Sequence, residues 1–300
     1  MYVVTGATGH TGSLVAQRLL LAGKKVRVIG RSAERLASLA SLGAEPAVAD
    51  VTDKDALTKA FSGAEAAYVM VPPNMASNRF REYQDQVTEA AATAVEKNQL
   101  KHVVVLSSFG ADKPDKTGPI AGLHELEERF KRISGLNALF LRAGYFMENT
   151  LGQAAAIQQF GLTAGPLKPE LKLPMIATRD IGVFAGEALL RLDFHGAQVQ
   201  ELQGQRDLTM REAATIIGNA IGKPDLQYRQ LPDDQFRSIL LQTGFSENLA
   251  DLFLEMGAGL NSGHIRALEP RSAQNTTPTS YEQFVAEKFV PAYRESSAAA

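Results

Sequence analysis

Not one cysteine occurs among the 300 residues of this chain. That absence excludes disulfides, thiolate-ligated zinc and a thiol nucleophile, and it fits a reducing, cytoplasmic compartment. No dense run of lysine and arginine is present either, and the formal net charge is −2. The basic face that a nucleic-acid binder presents to phosphates is missing, so no nucleic-acid partner is expected. No apolar stretch reaches the length of a spanning helix, so no membrane partner is expected. Nor does a charged leader with an apolar run precede the first strand-like residues, Tyr2-Val3-Val4-Thr5, which argues against a secretory signal. His10, His102, His195 and His264 are scattered without metal-ligand spacing, and no metal is expected.

What is present is an ordinary apolar fraction, 45%, enough for a sizeable core. The length suits one large domain, or one domain with a smaller companion. Short β-rich runs at 2–5, 26–30, 45–49, 67–71, 102–106 and 138–141 alternate with helical patterns. The first helix shows Gly12, Val15, Ala16, Leu19 and Ala22 on one face and stops at Gly23. Ser77 or Asn78 is the expected N-cap of the fourth. This alternation implies βαβ units and a doubly wound parallel sheet, an α/β fold of the Rossmann type. After Gly144 the rhythm changes. A helix and then irregular chain fill 151–177, and a helix capped by Asp180 covers 180–191. A strand is expected over 198–202, then a helix opened by the capping box Thr209-Met210-Arg211-Glu212 and a strand over 226–231. Ser246 is expected to cap a helix through Met256 and Ser280 the last helix, with polar loop over 260–279. Residues 296–300 carry no fold information. The expected division is a dinucleotide-binding domain over 1–150, rejoined by 178–203, and a smaller α/β substrate region over 204–295.

The segment Gly6-Ala7-Thr8-Gly9-His10-Thr11-Gly12 lies between the first strand and the first helix. Gly6 permits the tight turn, Gly9 lets backbone approach a pyrophosphate, and Gly12 lets the helix pack closely on the sheet. Free amides at the helix start, aided by the helix dipole, then face phosphate. A bare glycine triplet is weak, but a strand before it and a helix after it supply the context that a dinucleotide cradle needs. The second strand ends Val28-Ile29-Gly30-Arg31-Ser32, with Arg35 one turn further and no acid to accept from a ribose 2′-hydroxyl. Arginines there suit a 2′-phosphate, so the expected cofactor is NADP(H); solvated helix-start charge is the bland alternative. Asp50, followed by Val51 at the third strand's end, is either an adenine partner or a helix N-cap.

The loop from Thr5 to Gly12, Arg31, the pair Ser107-Ser108, and Leu141-Arg142-Ala143-Gly144-Tyr145-Phe146-Met147-Glu148-Asn149 together resemble the NmrA-like group of atypical short-chain dehydrogenases/reductases. Ile176-Ala177-Thr178-Arg179-Asp180-Ile181, Glu201-Leu202-Gln203-Gly204, Leu208-Thr209 and Gly222-Lys223 extend the likeness over nearly the whole chain. The resemblance implies a small C-terminal α/β region closing over the nicotinamide, NADP(H) preference, and Tyr145 and Phe146 near the nicotinamide. It departs in one respect: none of the seven tyrosines has lysine four residues on, so the Tyr-x-x-x-Lys pair is absent. By spacing back from Ser134-Gly135, His124 falls where related quinone reductases carry histidine. That suggests a group that hydrogen-bonds substrate or ribose, or relays a proton; the alternative is a surface histidine.

Ser107 or Ser108 can bind a substrate carbonyl or the carboxamide, or be a plain turn serine. Val71-Pro72-Pro73 is expected beside the adenosine ribose, with residues 75–80 as a flexible lid. Asn149 is expected to anchor the loop after Tyr145. Phe236, Phe245, Phe253 and Met256 read as core, with an apolar substrate cleft as the alternative. Residues 112–116 read as a solvated charge cluster. The expected function is NADPH-dependent reduction of a quinone, carbonyl or similarly conjugated apolar acceptor, with His124 and Tyr145 as catalytic candidates. A non-catalytic NADP(H)-binding redox sensor is the alternative. A small apolar or aromatic substrate is the expected partner, and a homodimer is compatible with the sequence.

Overall fold

Strand and helix alternate through the first half of the chain in a computed structural model that describes residues 1–298. In order come β1 (Tyr2–Val4), α1 (His10–Leu21), β2 (Val26–Gly30), α2 (Ala33–Ser41), β3 (Glu45–Val48) and α3 (Lys54–Ala60). They are followed by β4 (Ala66–Val69), α4 (Phe80–Lys97), β5 (His102–Ser108), α5 (Ala121–Lys131) and β6 (Asn137–Ala143). Successive residues of these strands face opposite sides of the sheet. Val4, Tyr68, Val104 and Leu139 join Val15, Leu19, Ile181 and Leu189 in one core. Val3, Ala67, Val105 and Phe140 join Leu57, Val95, Leu126 and Phe130 in the other. Helices on both faces explain why the strands read as continuous apolar runs.

The second half supplies β7 (Tyr145–Phe146), α6 (Gln153–Phe160), β8 (Thr163–Gly165), β9 (Leu173–Ile176), α7 (Thr178–Arg191) and β10 (Ala197–Leu202). After these come β11 (Asp207–Leu208), α8 (Met210–Ala220), β12 (Tyr228–Gln230), α9 (Asp233–Gln242) and α10 (Glu247–Asn261). The chain closes with α11 (Tyr281–Phe284), a wider π-helical turn over Val285–Phe289, and α12 (Val290–Ala298). The main sheet has seven parallel strands in the order β10-β6-β5-β4-β1-β2-β3. Its order reverses between β1 and β4, so a crevice opens at their carboxyl ends, where open α/β sheets bind ligands. Helix α7 lies against α1, and β10 closes the sheet beside β6. A third core, including Met147, Leu173, Met175, Leu208, Ile217 and Phe284, is built around the small sheets β11-β9-β7 and β12-β8.

Several local expectations are corrected. Helix α4 starts at Phe80 without a side-chain cap from Ser77 or Asn78; Asn248, far along the chain, accepts the Phe80 amide at 2.9 Å. Asp180 does not cap α7, because Thr279 occupies its carboxylate through N and Oγ1 at 3.0 and 2.7 Å. Glu148 takes that role, accepting from Thr178 N at 3.1 Å and from Thr178 Oγ1 at 2.5 Å. Ala22 is exposed just past α1, and α10 runs beyond Met256 to Asn261. The segment 151–177 is not irregular after its helix: β8 pairs with β12, and β9 with β7 and β11. In the tail, Ser296 continues α12 and its Oγ accepts from Gln158 Nε2 at 2.9 Å; Ala299 and Ala300 lie outside the described residues. The cap at Ser280, the capping box at Thr209–Glu212 and the stop at Gly23 are all formed.

Candidate active site

Gly6 leaves β1 with φ +59°, and a Cβ there would lie 2.4 Å from Met70 Sδ. A Cβ on Gly12 would lie 2.4 Å from the Gly6 carbonyl oxygen, so the helix can start on the strand end only with glycine at this position. The loop is tied to β4 from below: Thr5 Oγ1 donates to Tyr68 O at 3.2 Å and accepts from Met70 N at 3.1 Å, and Tyr68 OH donates to Thr11 Oγ1 at 2.9 Å. Above it, Thr8, Gly9 and His10 are exposed. The first amides of α1 have no helical acceptors, the N-cap Gly9 brings no side chain, and the first turn holds no acid. An uncapped, acid-free helix start is a donor surface for an anion.

Arg31 and Arg35 stand exposed after β2, while Ser32 caps α2 by accepting from Arg35 N at 3.4 Å. Neither arginine has an ion-pair partner among the described residues, where most of the chain's arginines do. Asp50 is not a helix N-cap. Its Oδ1 accepts from Thr52 N and Oγ1 at 2.9 and 2.8 Å, and the cap of α3 is Asp53. The Thr52 amide, with help from the Arg31 charge, holds the Asp50 carboxyl below the usual range. Tyr83 OH donates to Pro72 O at 3.0 Å; burial first, then the Asp50 charge, pushes this phenol up to about 12. Arg31, Asp50 and the Tyr83–Pro72 pair thus share one electrostatic neighbourhood, bordered by buried Val51, half-buried Val71 and exposed Pro73.

Near the start of α5, His124 is half-buried and its Nδ1 lies 2.9 Å from Ala111 O. A carbonyl only accepts, so Nδ1 carries a proton, and in the neutral ring Nε2 keeps its lone pair. Gly144 has a packing reason: a Cβ there would lie 2.3 Å from Pro174 O. Tyr145 and Phe146 are half-buried on β7. Burial pushes the Tyr145 hydroxyl up to about 12, opposed by a hydrogen bond with Asn149.

Ser107 is not a free carbonyl ligand. It is buried, and its Oγ donates to Glu127 Oε1 at 2.6 Å; half-buried Ser108 follows it. Glu127 also holds Arg142 through two hydrogen bonds of 2.9 and 2.6 Å. The sequence reading missed this pair. Its signal is a lone arginine inside the apolar strand Asn137–Ala143, which demands a buried acid.

Helix α10 roofs the loops after β4 and β5. Ser246 N donates to Met75 O at 2.9 Å and Ser246 Oγ to Ser77 O at 2.5 Å, so residues 75–80 are docked rather than free. Glu255 accepts from Gly118 N at 3.3 Å, and Met256 packs on Phe109, Ala111, Ile120 and Ile265. Phe236, Phe245, Phe253 and Met256 are all half-buried, not core; Phe245 and Phe253 meet edge to face at 5.2 Å. Within 112–116, Asp112 and Lys113 are half-buried and paired, not simply solvated. A cleft of about 410 Å³ opens beside the start of α1, lined by His10, Ser13, Glu148, Thr178 and Arg179 among others. Among the described residues no helix is long and apolar enough to cross a membrane, and no group of His, Asp and Glu gathers to hold a metal.

The family model described as the NmrA-like family matches residues 2–285. The NAD(P)H azoreductase of Xenophilus azovorans is 30% identical over 262 residues, 86% of each chain. The (4-alkanoyl-5-oxo-2,5-dihydrofuran-3-yl)methyl phosphate reductase of Streptomyces griseus is 29% identical over 270 residues, 90% of each chain. Among solved structures, an NADPH-dependent quinone oxidoreductase of Escherichia coli complexed with NADPH superposes with a TM-score of 0.79 at 24% identity, over 96% of this chain and 100% of that one.

Proposed function

Because the chain belongs to the NmrA-like family, we propose that it is an NADPH-dependent reductase of a quinone, carbonyl or similarly conjugated apolar acceptor. The observation that carries the reading is the uncapped, acid-free start of α1, together with Arg31 just after β2 and Arg35 in α2, which have no ion-pair partner among the described residues. The relatives support it: their names describe reductases, and the acceptors named, an azo compound, a quinone and an unsaturated lactone, are all conjugated. A chain free of cysteine fits the reducing cytoplasm as the place of such work.

The residues fit the cofactor. Amides from Thr8 to Gly12 face the pyrophosphate, with Gly6 shaping their turn. Arg31 and Arg35 take the 2′-phosphate. Asp50 and Val51 border the adenine, and Val71, Pro72 and Pro73 the adenosine ribose. Ser108, His124, Gly144, Tyr145 and Phe146 border the nicotinamide end. When bound, NADPH supplies a hydride. The chain's part is to hold the acceptor, exclude water beneath α10 and offer a polar group to the acceptor's oxygen or nitrogen. His124 is fitted for that as the imidazolium: its Nδ1–H stays committed to Ala111 O, and its Nε2–H is left to donate to the acceptor's oxygen or nitrogen. Tyr145 is the weaker proton donor, since burial raises its pKa and holds its proton more tightly.

Purified protein offered NADPH with a panel of quinones, azo compounds and conjugated carbonyls should oxidise NADPH only when an acceptor is present. His124→Ala should cut turnover by about a hundredfold, within the range of a lost acid–base group, while NADPH binding stays near wild type. Tight NADPH binding without turnover on any acceptor would instead identify a redox sensor.

A further inference from the structure

Glu127 carries a wholly buried carboxylate to which the reading above gives no contact with cofactor or acceptor. Its Oε1 accepts from Ser107 Oγ at 2.6 Å and Arg142 Nε at 2.9 Å, and its Oε2 from Arg142 Nη2 at 2.6 Å. Lys131 Nζ stands 3.5 Å away at the rim. Buried ion pairs are commonly no more stabilising than apolar residues of similar volume. The placement therefore calls for a reason other than stability.

The connections supply one. Ser107 and Arg142 are register partners on β5 and β6, each one residue before its strand ends. One carboxylate thus ties together the carboxyl ends of two strands and the helix α5. His124 lies one helical turn before Glu127, and Ala111, which fixes the His124 tautomer, lies four residues after Ser107. Both ends of the His124–Ala111 hydrogen bond therefore hang from the Glu127 node. Gly144 and Tyr145 follow Arg142 by two and three residues, so the nicotinamide-side turn hangs from it as well. The other acids near Arg142 cannot replace Glu127: Glu201 is spent on the amides of Leu268 and Glu269 at 2.9 and 3.0 Å, and Asp112 on Lys113.

We propose that Glu127, acting through Ser107 and Arg142, is a positioning residue that sets the His124 imidazole and the Gly144-Tyr145 turn relative to one another at the carboxyl edge of the sheet. Its catalytic consequence rests on the reductase reading; its geometric consequence does not.

The test compares wild type, Ser107→Ala, Glu127→Gln and Glu127→Asp by nitrogen NMR of the imidazoles. The chain has five histidines, and His124→Ala assigns the signal of interest. Wild-type His124 should show the single Nδ1-protonated tautomer. In Ser107→Ala and Glu127→Gln the signal should spread over both tautomers. Turnover should fall about tenfold or more, as small misplacements of a reacting group do, with the NADPH dissociation constant unchanged. Glu127→Asp, which keeps the charge, should recover part of both losses. A merely structural tie would lower the melting temperature and leave tautomer and turnover alone; that result in a folded variant overturns the proposal. If Glu127→Gln does not fold, Ser107→Ala, which leaves the ion pair intact, decides. If wild type reduces no acceptor, the reductase reading fails, and the tautomer measurement on the unliganded protein still decides the positioning role.

Discussion

Arg31 shows how much one position can say. Its place at the end of the second strand, with no acid beside it, is legible in the sequence because that strand is a local pattern and its end is the next residue. The structure adds that the guanidinium has no ion-pair partner among the described residues and lies close enough to Asp50 to lower its pKa. Charge-assisted hydrogen bonds are worth about 1.5–3 kcal/mol. Arg31→Glu should therefore weaken NADPH by about ten- to a hundredfold and leave NADH nearly unaffected, as dissociation constants for the two would show. Equal losses would place Arg31 outside the phosphate site. Glu127 and Arg142 were not legible in the same way. They are 15 residues apart, and nothing local says that a helix acid and a strand arginine meet; the β5–β6 register decides it.

Helices with local caps had readable starts, and those capped from afar did not. Thr209 and Glu212 close their box within one turn, so four residues suffice to announce α8. The start of α4 depends on Asn248, 168 residues away, so no local residue marks it. The strands inside 151–177 are equally silent, because β8 is short and finds its partner, β12, across more than sixty residues. Ser246 is where such a long-range link can be weighed. It caps α10 by accepting from Leu249 N at 3.1 Å and donates to Ser77 O in the loop after β4. Ser246→Ala should cost about 1 kcal/mol, seen as a melting temperature lower by a few degrees. Trypsin should also cut faster at Arg79 or Arg81, in the segment that α10 holds down. Unchanged melting and cleavage would mean that the roof does not depend on this residue.

At the scale of the whole molecule the parallel sheet and its crevice were the most legible features, because strand and helix periods alternate so regularly in the first half. The companion region was least so, since its core is assembled from β7, β9, α8 and α11, which are distant in sequence. The molecule also carries a set of buried phenols. Tyr83 and Tyr145 are pushed up to about 12 by burial, and Tyr68, Tyr228 and Tyr281 are raised by the same cause. An unfolded tyrosine loses its proton at about pH 10. Between there and the raised native values the unfolded chain binds fewer protons than the native one, so stability falls as pH rises. Urea midpoints should hold up to about pH 10 and then drop steadily, and Tyr83→Phe should shallow the drop. A midpoint that declines equally below that pH would mean these phenols are not what limits alkaline stability.

The central claim is that the crevice holds NADPH in one orientation and delivers its hydride to a conjugated acceptor. Stereospecific labelling tests it most directly. NADPH deuterated at one or the other face of C4 is turned over with a quinone or azo acceptor, and the NADP⁺ formed is weighed by mass spectrometry. The account predicts that one labelled form yields NADP⁺ free of deuterium and the other NADP⁺ that keeps it. A mixture from both forms, or bound NADPH that no acceptor oxidises, would contradict it.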